Sequence, residues 1–366
     1  MKAVIVSSSY SYLERVDLLK EYYDNKGYDT TVLLTDFIHA SKTYANWKKE
    51  GYIFVNTKFY KKNISVARLY SHHQFAKDVA TQLEHMEVDL LHVLLPANSL
   101  AKIASEYKEK HQEVKLYFDI IDLWPETMPI SRFKNAYPFQ KWRRLREDNL
   151  ENADRIYCEC NLFAKVMDRE SDDRLRTLYW VKSGEPIESS PDLSDKELHL
   201  CYLGSINNVI DIEYIVRMCD AIGEHIKIVL HIIGDGEKKE ELLQKVQTTD
   251  AEVIYHGLIY DSEKKQEIFD QCHFGLNIMK SSVCVGLTMK SLDYFQAGLP
   301  IINNIDGDTA DMIEAYKIGF NGYHRLLDNI DHLQDKDYLA MRDNVRKLYY
   351  EKFTKEAFVK RLEEND

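Results

Sequence analysis

Residues 226–246 read IKIVLHIIGDGEKKEELLQKV. The run gives an apolar strand, a turn at Gly234-Asp235-Gly236, and a helix. A strand without polar alternation belongs in a parallel sheet covered on both faces. A strand–glycine–helix turn sets backbone N–H groups and a helix N-terminus at the strand's carboxyl end, where they suit phosphate. A GxG at a strand end is equally often only a tight turn, so the glycines leave both readings open.

The same alternation extends on both sides. LHLCYLGS (198–205), EVIYHG (252–257), FGLNIM (274–279) and PIINN (300–304) are the other strands expected in this half. Upstream, AVIVSS (3–8), DTTVLLTDF (29–37), VDLLHVLLP (88–96), KLYFDIID (115–122) and RIYCEC (155–160) form a second set, and 14–26 is a helix capped by Gly27. Between the sets lies a polar stretch rich in turn formers, SGEPIESSPDLSDK (183–196). Three glycines precede residue 200 and eleven follow it, which marks a change of domain. The fold class expected is α/β: two doubly wound, Rossmann-like domains facing across a cleft, with ligands at the carboxyl ends of the strands. The expected divisions are 1–182, a linker at 183–196, 197–345, and a C-terminal helix over 346–366.

Composition excludes other classes. The chain has 366 residues, 45% apolar and 30% charged, enough for two cored domains and too apolar for disorder. The net charge is −12, so no nucleic-acid partner is expected. Six cysteines without CxxC or Cys/His ligand spacing suit a reducing cytoplasm better than a disulfide framework. No apolar run approaches the ~20 residues of a membrane span, and MKAVIV is too short for a signal segment.

The segment 286–300 carries Gly286, Lys290, Asp293, Gly298 and Pro300. On a helix Lys290 and Asp293 are i and i+3 and share a face. An ammonium for phosphate and a carboxylate for ribose hydroxyls would hold a nucleotide sugar; the same spacing also suits a solvated ion pair.

These residues carry a resemblance. HIIGDGEKKEELL (231–243), YHG (255–257) and GLTMKSLDYFQAGLPIINN (286–304) are similar to the C-terminal domain of GT-B glycosyltransferases, in particular the family-4 type. VDLLHVLLP resembles that family's strand with a trailing histidine. DIIDLWPETM (119–128) resembles the Asp-Leu-Trp-Pro-Glu turn of bacterial capsule and O-antigen enzymes. The resemblance implies a metal-independent hexosyltransferase without a cofactor. A nucleotide sugar, UDP-linked in expectation, would be held in the C-terminal domain, and a lipid-linked or saccharide acceptor in the N-terminal one. The setting implied is cell-envelope polysaccharide synthesis, in the cytoplasm or peripherally on the inner face of the membrane. By position, Asp293 takes the place of the glutamate that holds the donor ribose, and Val285 stands where the family has another glutamate. The cations the family places after the first glycine are absent from YLGSINN (202–208), which leaves Lys290 as the charge and Ser205 and Asn207 as neutral donors. Gly204, Gly234 and Gly286 complete the expected donor set. Two alternatives go with these departures: a catalytically degenerate GT-B subunit that acts as a binding partner, or a sugar-nucleotide epimerase of the same fold.

In the first domain the candidates for acid–base work are Asp122, His92 and Glu126. Asp122 follows a strand and would either accept or orient the acceptor hydroxyl's proton, or cap the next turn. His92 lies inside an apolar strand, where a satisfied core group and a catalytic one are both open. Arg15 opens the first helix, as a ligand for an anion or as a surface arginine. The triplet Asp306-Gly307-Asp308 spells a metal motif of another glycosyltransferase fold but reads here as a loop and helix cap, and no metal site is expected. Finally RFKNAYPFQKWRRLR, from Arg132 to Arg146, holds six cations and no acid. It suits an anionic membrane surface or an ordinary solvated helix face.

Overall fold

Runs such as AVIV and IVLHII have no polar face, so each strand needs cover on both sides. In the computed structural model, which describes residues 1–62, 65–128, 136–189, 196–329 and 335–364, they obtain it in two separate sheets. One unit comprises Met1–Trp180 with Val359–Asp366, the other Val181–Phe358.

The N-terminal unit contains strands β1 (Lys2–Ser7), β2 (Asp29–Thr35), β3 (Phe37–Ile38), β4 (Thr43–Tyr44), β5 (Tyr52–Val55), β6 (Leu90–Leu95), β7 (Lys115–Ile120), β8 (Arg155–Cys158) and β9 (Leu175–Thr177). Its helices are α1 (Leu13–Asn25), α2 (Val66–Leu83), α3 (Asn98–Lys110), α4 (Tyr137–Glu147) and α5 (Asn161–Val166). Seven strands form a parallel sheet in the order β5-β2-β1-β6-β7-β8-β9. The order steps outward from β1 on both sides, so β1 and β6 flank the switch point where ligands bind in such sheets. Helix α1 ends as expected, with Gly27 at φ +85° beyond its last turn.

The C-terminal unit runs β10 (Glu197–Leu203), α6 (Ile212–Gly223), β11 (Lys227–Ile233), α7 (Lys239–Val246), β12 (Glu252–Gly257), α8 (Ser262–Asp270), β13 (Phe274–Asn277), α9 (Met289–Gln296), β14 (Ile301–Asn303), α10 (Asp308–Tyr316), β15 (Gly319–Asn321), α11 (Tyr323–Leu327) and α12 (Asp335–Lys352). Its six strands are parallel in the order β12-β11-β10-β13-β14-β15. One face buries Leu200, Leu230, Ile232 and Leu276 against Ile215, Met218 and Ile222 of α6.

Three expectations are corrected. The terminal helix expected over 346–366 is two helices, α12 and α13 (Lys355–Glu363). The chain breaks between them because Thr354 Oγ1 accepts the Ala357 N–H and restarts the helix. The described part of the expected linker, 183–189, is bonded into the C-terminal unit: Gln296 Nε2 donates to the Ser183 and Gly184 carbonyls, and Ser189 Oγ to Asp270. The residue before α10 is Gly307, not an aspartate, and Asp308 is the first helical residue, 1% exposed.

Candidate functional site

At the carboxyl ends of β10 and β11 the C-terminal unit opens into a cavity of about 500 Å³. Six of the seven residues expected to hold a donor line it: Gly204, Ser205, Asn207, Gly234, Lys290 and Asp293. Tyr202, Tyr260, Met289 and Lys265 complete much of the wall. Gly286 is not among the lining residues; its carbonyl accepts from the N–H and the hydroxyl of Thr309 and so anchors α10.

The glycines serve the turn more than the ligand. The Gly204 N–H donates to the Ile233 carbonyl and the Gly234 N–H to the Gly257 carbonyl, so neither amide is left for a phosphate. Gly234 has φ +146°, and a Cβ there would lie 2.0 Å from the Gly204 carbonyl oxygen. Only glycine allows the two turns to approach this closely. Gly204, at φ +117°, has the Lys290 side chain as the neighbour a Cβ would meet, at 3.8 Å.

Lys290 is one of the two lysines that line this cavity, with Lys265. Thr288 caps α9 by accepting the Ser291 N–H, which sets Lys290 on the first turn. Its Nζ lies 4.3 Å from the centre of the Tyr202 ring, a cation–π contact. Burial pulls its pKa down to about 8. It does not pair with Asp293. That carboxylate, expected to share a face with Lys290, is instead held through Oδ1 by Lys182 and Lys265, each at 3.1 Å. Oδ2 has no hydrogen-bond donor among the described residues, so one oxygen is left to accept from a ligand hydroxyl. Neither lysine was singled out from the sequence: Lys182 lies just before the polar stretch, and Lys265 sits in the helical repeat EKKQE (263–267) as one charge among several.

The N-terminal candidates separate. Asp122 is half-buried just past β7; it accepts from Trp124 Nε1 at 2.5 Å and from the Thr127 hydroxyl. Burial raises its pKa against those two bonds, so it is a more basic carboxylate than an exposed one. Glu126 is a structural anchor, not an acid–base group: it is 7% exposed and clamped by Arg146 and Arg143. His92 is a core group, 0% exposed, bonded through Nδ1 to the Tyr23 hydroxyl at 2.7 Å and stacked on Tyr157. Arg15 is neither at the surface nor an anion site. It is 1% exposed, bidentate to Asp119 at 2.7 and 2.8 Å, and donates to the Leu178 and Tyr179 carbonyls. The sequence reading missed Glu159, one residue beyond β8. It accepts from Trp180 Nε1 at 2.6 Å, and burial raises its pKa to about 8. Asp306 and Asp308 gather no further ligands; among the described residues no group of three His, Cys, Asp or Glu side chains could hold a metal ion.

Of the basic stretch 132–146, residues 132–135 lie outside the described residues. On α4, Arg146 is buried against Glu126 and Glu147, and Arg143 pairs with Glu126. Lys141 and Arg144 are the two exposed cations of α4.

Two parallel-sheet units of this topology, one with a nucleotide-sized cavity at its strand ends, define the GT-B fold class. Residues 197–335 match a family model described as glycosyl transferases group 1. Over its whole length the chain resembles the apo form of WaaB, a lipopolysaccharide outer core galactosyltransferase, with 16% identity, coverage of 100% of this chain and 99% of that one, and a TM-score of 0.70. It also resembles Anabaena Alr3699/HepE in complex with UDP-glucose, with 13% identity, coverage of 100% and 98%, and a TM-score of 0.63. A 77-residue stretch is 31% identical to chitobiosyldiphosphodolichol beta-mannosyltransferase of Candida glabrata; it spans 21% of this chain and 17% of that protein. The chain thus has the GT-B fold, and residues 197–335 of its C-terminal unit match the group 1 glycosyl transferase family model.

Proposed function

We propose that the protein moves a sugar from a UDP-sugar to a lipid-linked or saccharide acceptor in cell-envelope polysaccharide synthesis. The observation that carries this reading is the C-terminal cavity, with Lys290 half-buried in its wall and Asp293 alongside. In this reading Lys290 neutralises the leaving diphosphate, which is where charge develops. Ser205 and Asn207 add neutral hydrogen bonds, and Asp293 accepts a ribose hydroxyl. Asp122 accepts or orients the proton of the acceptor hydroxyl. The UDP-glucose complex of the Anabaena protein supports UDP as the nucleotide, and the lipid-linked saccharide in the name of the yeast relative supports the acceptor class. The direct test incubates the purified chain with a panel of nucleotide sugars and oligosaccharide or lipid-linked acceptors and follows sugar transfer by mass spectrometry. Turnover without transfer, into an epimer of the donor, would replace this reading with an isomerase.

No cofactor enters the proposal, since Lys290 supplies the charge that a divalent ion supplies elsewhere. Transfer should therefore persist in excess EDTA, and Asp306→Ala should retain most activity. Loss in EDTA with rescue by Mg²⁺ or Mn²⁺ would overturn the metal-free account.

No described helix is long and apolar enough to cross a membrane. Peripheral attachment through α4 rests on Lys141 and Arg144, a narrower base than six cations. At about 1 kcal/mol per cation near an anionic surface, the pair contributes about 2 kcal/mol, screened by salt. The chain should bind anionic vesicles above neutral ones at low salt, and Lys141→Gln with Arg144→Gln should remove most of the difference. Unchanged sedimentation of that double variant with anionic vesicles would make α4 an ordinary solvated face.

A further inference from the structure

Histidines from three adjacent strands of the C-terminal sheet meet in a row: His199 of β10, His231 of β11 and His256 of β12. His199 Nδ1 lies 2.9 Å from His231 Nε2, and His231 Nδ1 lies 3.1 Å from His256 Nε2. The His231 and His256 rings stack with their centres 5.3 Å apart. The register of β12 against β11 shifts next to His256, where a bulge puts an extra residue into the strand. At the other end of the row, His199 Nε2 lies 3.4 Å from a carboxylate oxygen of Glu197. A fourth histidine joins through the backbone, since the His199 N–H donates to His273 Nδ1 at 3.1 Å.

These contacts dictate where the protons sit. A carboxylate only accepts, so His199 carries its proton on Nε2 and offers the lone pair of Nδ1. His231 then donates through Nε2 and accepts at Nδ1, and His256 donates through Nε2. His273 also accepts at Nδ1. The row is a directed chain of hydrogen bonds that ends on Glu197. A further proton has no such place in it. His231 is 2% exposed; burial, then the charges of His199 and His256, pull its pKa down to about 4, and Glu252 opposes them weakly. Burial also lowers the pKa of His256. Of the other ionisable groups around the row, Lys227 of β11 bridges Glu197 and Glu252 at 2.6 and 3.0 Å. From α12, Tyr338 sets its ring 5.9 Å from that of His273, and Arg342 pairs with Asp270 of α8 at 3.3 Å.

The row is placed where it can act. β12 is the edge of its sheet, and the residues that follow it, Leu258, Ile259 and Tyr260, line the cavity. At the junction the Gly257 carbonyl accepts the Gly234 N–H. We propose that the histidine row is an acid-sensitive brace: with one proton on each ring it ties β12 and the cavity wall beyond it to the sheet, and on taking up a further proton it lets that edge open. This goes beyond the donor reading and holds whatever the cavity binds. The sign follows from linkage. Opening exposes His231 to water, where it titrates near the ordinary value of about 6.5. A base whose pKa is depressed in the closed state stabilises that state fully above about pH 6.5, and the contribution drains as pH falls towards about 4.

Amide hydrogen exchange of the full chain tests the brace, read by mass spectrometry from about pH 7.5 to about pH 4.5 and corrected for intrinsic exchange rates. Protection over 252–257 should fall by about tenfold per pH unit below about pH 6.5. Protection over β14, on the far side of β13, should hold over the same range. Nitrogen NMR at about pH 7.5 should find the proton of His231 on Nε2. His231→Leu should flatten the pH profile of β12. Protection of β12 that runs parallel to that of β14 at every pH would overturn the proposal. A His231 ring protonated on Nδ1 at about pH 7.5 would overturn it too, as would an unchanged β12 profile in folded His231→Leu. Should His231→Leu fail to fold, the comparison of β12 with β14 in the wild type decides alone.

Discussion

Replacing Arg15 by methionine should cost about 3–5 kcal/mol of stability, read as a lower midpoint in urea for the N-terminal unit. The substitution leaves Asp119, 0% exposed, as a carboxylate without its bidentate partner. It also strips two hydrogen bonds from the Leu178 and Tyr179 carbonyls, which tie α1 to the chain beyond β9. An uncompensated buried charge is far more costly than an absent pair, so Arg15→Met with Asp119→Leu should recover much of the loss. The pH dependence has a definite sign. Burial opposes ionisation of Asp119, but the charge and the two hydrogen bonds of Arg15 hold its pKa below the ordinary carboxylate value. A carboxylate depressed in the folded state stabilises above its unfolded pKa, and that contribution drains as pH falls through the carboxylate range. The Arg15→Met variant should therefore lie closest to the wild type in acid and furthest from it at neutral pH. A midpoint shift below about 1 kcal/mol at neutral pH would mean that the buried pair is not an organising contact of this unit.

Lys290→Met should weaken UDP binding by about 10- to 100-fold, the range of one charge-assisted contact made in a partly dry site. Methionine keeps the length and apolar stem of the side chain and removes only the ammonium, so the α9 turn should stay in place. Asp293→Asn should weaken binding less, because Lys182 and Lys265 already engage the carboxylate and only Oδ2 is left for a hydroxyl. The ordering of the two effects discriminates. If Asp293→Asn is the more damaging change, the pair of lysines on that carboxylate, Lys182 and Lys265, and not Lys290, carries the phosphate.

The fold was legible because its carriers are apolar runs long enough to exclude other readings. The ten strands expected from the sequence all occur, most of them shortened by one to three residues at an end. Those missed, β3, β4, β5, β9 and β15, are two to four residues long, and β5, β9 and β15 sit at sheet edges, where half-exposed side chains break the apolar signal. The cavity was legible for six of seven expected residues: Gly204, Ser205, Asn207 and Gly234 follow apolar strands, and spacing along one short segment placed Lys290 and Asp293. What spacing could not give was partnership across the chain. His92 and Glu126 have the residue types of acid–base groups, but contacts from Tyr23 and from Arg143 and Arg146, tens of residues away, fix them as structural. Arg15 reads as an anion ligand or a surface arginine because its partner lies 104 residues on. Lys265 reaches Asp293 over 28 residues, and nothing in its charged helix distinguishes it beforehand. Glu159 lies in RIYCEC, where its position one residue past the strand is the single available hint.

Calorimetric titration of UDP from about pH 7 to about pH 9.5 tests whether the ammonium of Lys290 holds the diphosphate of the donor. The free ammonium has a pKa of about 8, and a bound diphosphate raises it. Below about pH 8 the site is charged before UDP arrives; above it, binding must take up a proton. Wild-type affinity should be level up to about pH 8 and then fall by up to about tenfold per pH unit relative to Lys290→Met. A wild-type profile that runs parallel to that of Lys290→Met across the whole range would contradict the assignment and place the diphosphate on other groups.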